Sequence, residues 1–347
     1  MAIKKDKISV IIIHYNTPEY LKGCIDAIFS QSYDNIEIIF IDNNSPDKTG
    51  MNFVKEKYDH LKNFKLIYNI KNLGYAKAAN QGIKMATDAK YIVITNPDIL
   101  YTKDYFKKCV ERIKADPKTA SITGKVYKYD FDRDKKTDII DTVGLFAYKN
   151  RRFIDDGQGL VDEGQFDKEK EIFGVSGACP LYTKEALEDV KINNEYFDED
   201  FFMYKEDVDL AWRLKIYGWK SIYYPKAIAY HGRGTGVHRR FFNKELLKVR
   251  DRLSKFQKHH SFRNQHLMQA KNEFFINFIR DFFPIMGRKF LMLIYITFKE
   301  PYLWKSYKEY WKLLAKILKK RRIIMRHKKI STKAMRKWFK KQSSYLK

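Results

Sequence analysis

The sequence predicts a doubly wound, mainly parallel α/β sheet, and three observations predict it. Short continuous apolar runs recur at Ile8–Ile13, Ile36–Ile41 and Tyr91–Thr95, the pattern of strands buried on both faces. Helical spacings alternate with these runs, as in repeated strand–helix units. Several runs also end on an acidic or amide residue: Asn16 after the first, Asp42 after the second, and Asn96-Pro97-Asp98 after YIVIT. Ligands of open α/β sheets sit outside the carboxyl ends of the strands, so these side chains are expected to converge on one crevice.

The elements follow in order. Thr17 is placed to cap the first helix and Pro18 to take its first position, with Leu21, Ile25 and Ile28 as its inward stripe. A further strand is expected at Phe64–Tyr68 and a helix from about Tyr75 to Ala86. After about residue 120 the pattern changes to separate strands, such as Ile172–Tyr182, and one clear helix, Glu206–Tyr217, stopped by Gly218. That helix opens on Glu206 and Asp207, which are expected to face the same crevice. Carboxylates around a crevice point to a metal, a phosphorylated ligand and a base.

Taken singly, each motif has a plain structural explanation. Asp42-Asn43-Asn44-Ser45 reads equally well as a turn whose side chains satisfy their own backbone. Asn-Pro-Asp is a common turn. Two acids in a first helical turn suit the helix dipole. His231 could be an ordinary strand-end histidine, and Asp209 with Arg213 reads as a helical salt bridge worth tenths of a kcal/mol. The functional reading rests on the combination.

Charge divides the chain. Residues 1–230 carry 36 basic and 36 acidic residues, whereas 231–347 carry 32 basic and 6 acidic, so the whole excess of +26 lies in the last third. Such asymmetry reads as a neutral domain followed by a module for an anionic surface. Trp304, Tyr307, Trp311, Leu314 and Leu318 recur at helical spacing with Lys305, Lys308, Lys312, Lys316 and Lys319 on other faces, which predicts a basic amphipathic helix lying on an anionic membrane. Nucleic acid is the weaker partner, because no reader motif accompanies the charge. No secretory signal or spanning segment is visible: the most apolar stretch, Phe274 to Phe298, is broken by Arg280, Asp281, Arg288 and Lys289. Three scattered cysteines, Cys24, Cys109 and Cys179, fit a reducing cytosol, with the protein peripheral on the inner face of the membrane.

In register, VIIIHYNTPEYLKGCIDAI, IIFIDNNSPD, NLGYAKAANQGI, YIVITNPDIL, GVSGACPLYTKEAL and FDEDFFMYKEDVDLAWRLKIYGWK resemble the family 2 inverting glycosyltransferases, more narrowly the bacterial rhamnosyltransferase-like branch that builds cell-surface polysaccharides. The resemblance covers roughly residues 8–235. It implies the GT-A fold, a Rossmann-like nucleotide-diphospho-sugar transferase domain, over 1–235, with a nucleotide-binding half at about 1–120 and an acceptor half at about 121–235. Residues 236–347 would then form the basic, helical membrane-associating region.

The resemblance also implies roles. Tyr15 and Asp42 would lie at the nucleotide base, beside Asn16, and Asn72 near the base or ribose. Asn96-Pro97-Asp98 occupies the place of the family's DxD motif, making Asp98 the candidate ligand of Mg²⁺ or Mn²⁺, with His231 a further ligand and Asn96 beside the donor. An ion there would stabilise a diphosphate leaving group. In the matching acidic pair the second residue is the general base, so Asp207 takes that role and Glu206 supports it. The donor would be dTDP-rhamnose or a UDP-sugar, and the acceptor a lipid-linked saccharide or an oligosaccharide.

The chain departs from the pattern at Lys77-Ala78, where relatives carry two glycines; this implies a different loop path or a lysine aimed at phosphate. No QxxRW follows the acidic pair, so transfer of one or a few sugars fits better than polymerisation. Two alternatives stand beside this reading: a degenerate transferase fold acting as a membrane- or RNA-binding protein, and a nucleotidyltransferase, which would carry a glycine-rich basic loop near the N-terminus.

Overall fold

The computed structural model of the chain describes residues 5–232 and 250–341. The boundary expected at about residue 235 falls outside them.

Four parallel strands form one end of a ten-stranded sheet: β1 (Ile8–His14), β2 (Ile36–Asp42), β3 (Phe64–Tyr68) and β4 (Tyr91–Thr95), ordered β3-β2-β1-β4 with β3 at the edge. Their side chains alternate between two cores. Ile11, Ile13, Ile39 and Ile41 face one, while Ile8, Val10, Ile12, Ile38 and Phe40 face the other. Burial on both faces is why β1, β2 and β4 read as apolar runs, whereas the edge strand β3 is half-buried and carries Lys65. The helices between them are α1 (Pro18–Phe29), α2 (Thr49–Tyr58) and α3 (Tyr75–Met85). Pro18 begins α1 as expected, but the Thr17 side chain makes no capping hydrogen bond.

Beyond β4 the sheet becomes mixed. The added elements are β5 (Ile99–Tyr101), α4 (Tyr105–Lys114), β6 (Thr119–Asp130) and β7 (Lys135–Thr142), then β8 (Leu145–Tyr148), β9 (Phe153–Asp155), β10 (Lys170–Ile172) and β11 (Leu181–Thr183), and finally α5 (Lys184–Asp189), α6 (Glu206–Ile216) and β12 (Lys220–His231). β11 runs antiparallel between β4 and β6, and β12 lies parallel to β6. The single strand expected at Ile172–Tyr182 is thus two short strands in different places. Between them Gly174, Gly177 and Pro180 interrupt the ladder, and the loop they form reaches the candidate site.

The C-terminal region consists of α7 (Lys255–Asn272), α8 (Phe275–Arg280), α9 (Phe282–Lys299), α10 (Trp304–Arg326), α11 (Thr332–Arg336) and β13 (Phe339–Lys340). Ser254 and Gln257 form a reciprocal capping box at the start of α7. α10 packs on α7, β13 pairs with β8, and Leu267, Met268, Ile317, Ile324, Met335 and Phe339 share one apolar core with the sheet. The expected stripe on α10 does not face that core: Trp304, Trp311 and Leu318 are exposed, while Ile317, Lys320 and Ile324 are buried.

Buried ion pairs join these helices to the sheet domain. Lys271 of α7 contacts Asp198 and, at 2.8 Å, Asp209. Lys320 of α10 contacts Asp198 at 2.5 Å, Glu195 at 2.8 Å and Asp200 at 2.9 Å. Arg213 pairs with Asp209 at 3.1 Å, fully buried, so this pair is part of the same cluster and not the modest surface bridge its helical spacing suggested. Arg151, also buried, pairs with Glu273 at 2.6 Å and Asp281 at 3.0 Å.

Removing one member of a buried cluster strands a desolvated charge. Lys271→Met is therefore expected to lower stability by about 3–5 kcal/mol. Lys316→Ala, which removes a half-exposed partner of Asp200, should lower it by less than ~1 kcal/mol. Denaturant unfolding of both variants checks this; equal losses would contradict the cluster's role.

Candidate active site

The carboxyl ends of β2, β1 and β4 stand side by side, with His14 opposite Asp42 and Ile12 opposite Thr95. Asp42 and the Asn96-Pro97-Asp98 turn are thus about two strand spacings, ~10 Å, apart. Asp42 is buried and accepts hydrogen bonds from His14 Nδ1 (3.0 Å) and the Ser45 backbone N–H (3.2 Å). The Thr17 N–H donates to His14 Nε2, which leaves the ring proton on Nδ1, facing Asp42. Burial pushes the Asp42 carboxyl up, but His14 and Ser45 more than offset this and hold it below the usual carboxylate range. Asn16, at φ 55°, accepts the Asp47 N–H and donates its own N–H to Ser45. Tyr15, 46% exposed, projects from this loop. His14 had no signal in the sequence, because a strand-end histidine is indistinguishable from a core one, and Ser45 was legible only as part of a turn.

Amides set the next wall. The Asn72 side-chain oxygen accepts from Asn43 Nδ2 (3.0 Å) and from the Gly74 N–H (2.9 Å), while Asn43 Oδ1 accepts the Leu73 N–H (3.0 Å). Asn72 therefore braces its own loop. Gly74 has φ +79°, and a Cβ there would lie 2.5 Å from the Phe202 carbonyl oxygen, so only glycine lets this loop seat on the segment before α6. Lys77 is exposed and pairs with Glu199 at 3.5 Å.

Asp98 lies at the start of β5 and His231 at the end of β12, strands paired so that His231 sits opposite Ile99. His231 Nε2 stands 3.3 Å from Asp98 Oδ2, and its Nδ1 2.8 Å from Asp141 Oδ2. Burial lowers the imidazole pKa, but Asp141 and Asp98 more than reverse this and raise it to about 9. Asp141 is a buried residue that the sequence reading missed; it sits at the end of β7 in an unremarkable run. Among the described residues no cluster of three or more histidine, cysteine or acidic side chains has the form of a metal cage.

The fourth wall is the start of α6. Phe202, Tyr204 and Lys205 hold φ of 64°, 68° and 70°, a strained path that turns the chain sharply into Glu206. Asn264 of α7 clamps this path by donating to the carbonyls of Phe201, Met203 and Tyr204, each at 2.8 Å. Asp207 accepts the Gly177 N–H (3.0 Å) and the Val208 N–H (2.7 Å). Glu206 is buried, and its Oε2 has no hydrogen-bond partner among the described residues. Burial, then the charge of Asp207, pushes the Glu206 carboxyl up. Burial also pushes Asp207 up, against the pull of Lys205.

Tyr75, at the first position of α3, ties these walls together. Burial raises its hydroxyl well above its ordinary value, and the charges of Glu206, Asp207 and Asp98 add to the rise. One ring is thus within electrostatic reach of the strand-end carboxylate and of both helix-start carboxylates. Asp98, paired with His231, and the Glu206-Asp207 pair share the surroundings of Tyr75; Asp42, Asn16 and Asn72 brace neighbouring loops; Lys77 pairs with Glu199.

Residues 9–191 match the glycosyl transferase family 2 model. Poly-beta-1,6-N-acetyl-D-glucosamine synthase of Staphylococcus epidermidis is 28% identical over 224 residues, covering 64% of this chain and 49% of its own. The protein of the same name from Staphylococcus aureus strain COL is 26% identical over 227 residues, with the same shares. The chain spans about half the length of these curated relatives. The solved structure of GalNAc-T7 with UDP, GalNAc and Mn²⁺ superimposes with a TM-score of 0.54 at 13% identity, covering 76% of this chain and 51% of the other. The fold is the GT-A type that the sequence led one to expect, extended by a helical C-terminal region.

Glu206→Gln removes a carboxyl that resists ionising. A raised folded pKa means that the folded state binds the proton more tightly, so wild-type stability falls as pH climbs above the unfolded carboxyl value of about 4.3. The variant should gain thermal stability over wild type progressively above that pH and none below it. A pH-independent difference in melting temperature would contradict the shift.

Proposed function

The chain belongs to glycosyl transferase family 2, and from that membership we propose that it transfers a sugar, with inversion, from a nucleotide-diphospho-sugar to a hydroxyl of a saccharide acceptor in the building of a cell-surface polysaccharide. The donor is dTDP-rhamnose, as in the rhamnosyltransferase-like branch, or a UDP-sugar. The observation that carries the reading is the arrangement around Tyr75, which brings Asp98 and the Glu206-Asp207 pair to one crevice at the strand ends. Relatives named as synthases of a poly-N-acetyl-glucosamine support a growing sugar polymer as the setting.

Asp207 is the proposed general base. Two backbone N–H groups orient its carboxylate, and it is only partly buried, so an acceptor hydroxyl can reach it. Burial makes it a stronger base than an exposed aspartate. Glu206 behind it, with its carboxyl pushed up, adds little opposing charge in its protonated form. Tyr15, Asn16, Asp42 and Asn72 line the proposed nucleotide end, the last three by holding loops in place, and Asn96 adjoins the diphosphate.

Asp98 and His231 are the proposed protein ligands of Mg²⁺ or Mn²⁺. The donor set fits: an oxygen and an imidazole nitrogen stand 3.3 Å apart, and Asp141 on the far ring nitrogen orients the imidazole as carboxylates do behind ligating histidines. A set of two protein ligands suits an ion that takes its other oxygens from a diphosphate and water. Bound there, the ion would supply charge to stabilise the departing nucleoside diphosphate.

The reading extends to a peripheral place on an anionic membrane. No described helix is long and apolar enough to cross one. In support, Phe275, Ile279, Phe283, Phe290 and Phe298 of α8 and α9 are exposed, with Trp304 and Trp311 on α10, amid the basic excess of the last third.

Asp207→Asn should keep donor affinity while turnover falls by roughly 10²–10⁴, the effect of a lost general base. Calorimetry and a nucleotide-release assay on a panel of nucleotide sugars, with and without Mn²⁺, check both halves. Near-normal turnover would move the role away from Asp207. In the same panel Asp98→Ala should abolish the metal-dependent part of donor binding.

A further inference from the structure

A cavity of about 150 Å³ lies between the start of α6 and the C-terminal helices, lined by Arg152, Lys205, Arg250, Arg288 and Lys289 together with Phe262, Gln265, His266 and Met292. By the same measure a single water needs roughly 10–15 Å³, so the space admits a group larger than one water. Among the described residues, five of its lining side chains are basic and none is acidic. Arg250 pairs with Glu300 at 2.5 Å. The charged side-chain groups of Arg288, Lys289 and Lys205 have no hydrogen-bond or ion-pair partner among the described residues, and Arg288 is repelled by Arg152 and Arg250. Burial and that repulsion push the Arg288 guanidinium down to about 10. Folded proteins rarely gather unpaired cations around an enclosed space unless an anion neutralises them.

Position identifies the anion's owner. Lys205 immediately precedes Glu206-Asp207 and is drawn electrostatically toward Asp207 while Arg288 opposes it, so the cavity opens beside the proposed base. On the other side, α9 contributes Arg288, Lys289 and Met292 to the cavity while exposing Phe283 (86%), Phe290 (63%) and Phe298 (79%) to the surroundings. One helix thus presents cations to the site and a greasy face outward. That is the complement of an amphiphile with an anionic head.

Building on the transferase reading above, we propose that the cavity between Lys205 and Arg288 binds the phosphate or diphosphate ester of a lipid-anchored acceptor, while the exposed face of α9 rests among the apolar chains. Arginine forks match phosphate oxygens in pairs, and a helix with this division of faces settles at the headgroup level of a bilayer. Seated there, the phosphate fixes how far the acceptor hydroxyl stands from Asp207, so the cavity sets which position on the acceptor receives the sugar.

The test is calorimetric titration of the full chain with farnesyl phosphate, farnesol and inorganic phosphate. Farnesyl phosphate should bind at least about tenfold more tightly than either of the others, and Arg288→Ala/Lys289→Ala should weaken it by about tenfold or more, the value of one or two charged hydrogen bonds. Arg288→Lys, which keeps the charge, should retain most of the affinity and guards against loss of fold as the cause. Undiminished binding by the double variant would overturn the proposal. So would farnesol binding as tightly as its phosphate, or inorganic phosphate binding as tightly as the lipid, which would mark a free-anion site. Hydrolysis of nucleotide sugars by the wild type is read in parallel: its absence alongside intact farnesyl phosphate binding would fault the transferase reading and leave the cavity assignment standing.

Discussion

The buried charges of Asp198, Asp209, Lys271 and Lys320 are the constraint on which the rest depends. Burial alone would raise the Asp198 carboxyl, yet Lys271 and Lys320 pull it far below its ordinary range. Burial alone would lower the Lys320 ammonium, yet Asp198, Glu195 and Asp200 raise it well above its own. Such a set is stable only when complete, because each member left alone carries the full penalty of desolvation. It therefore permits one position of the 195–209 segment against α7 and α10. Asn264 and Arg263 add donors to the carbonyls of the same segment, which keeps its left-handed residues in place. The C-terminal helices thus act as the rear support of the crevice, and an exposed apolar surface is what remains on their outer side.

The crevice itself is built from opposed demands on charge. Near the strand ends, Asp42 is kept ionised by His14 and Ser45, and it ties two loops together. Across from it, Glu206 and Asp207 are kept reluctant to ionise by burial. Carboxyls with separated proton affinities in one site are the usual basis for dividing structural, ligating and base roles among chemically identical groups. The third group, Asp98, faces an imidazole that Asp141 holds in position. Beyond the acidic crevice lies the cationic cavity, so the sign of the local charge changes from one to the other.

Much of this was legible in the chain. The strands at Ile8, Ile36 and Tyr91 were readable because burial on both faces leaves apolar runs, the half-buried edge strand at Phe64 by its β-forming residues, and the strand ends marked the crevice. The helix opening at Glu206 was readable from its acidic first turn and the glycine that stops it. What was not readable depends on pairing across long separations. Lys320 stands within a run of basic residues that looks uniformly solvated, yet one member is buried because its partners lie more than a hundred residues earlier. For the same reason the aromatic spacing of α10 pointed to a stripe, while which side of the helix would be covered was decided by Lys320 and the acids that recruit it. Asp141 carries no local pattern at all, and Asn43, legible only as part of a turn, braces a loop about thirty residues away; their roles exist only in the fold.

The central claim is that the C-terminal helices hold the segment that positions Asp207. Hydrogen exchange of backbone amides over residues 195–209, compared between wild type and Lys320→Met under conditions where both are folded, tests it most directly. The account predicts that protection in this segment falls sharply in the variant while β1, β2 and β4 remain protected. Unchanged protection over 195–209, or a uniform loss across the whole sheet, would contradict it.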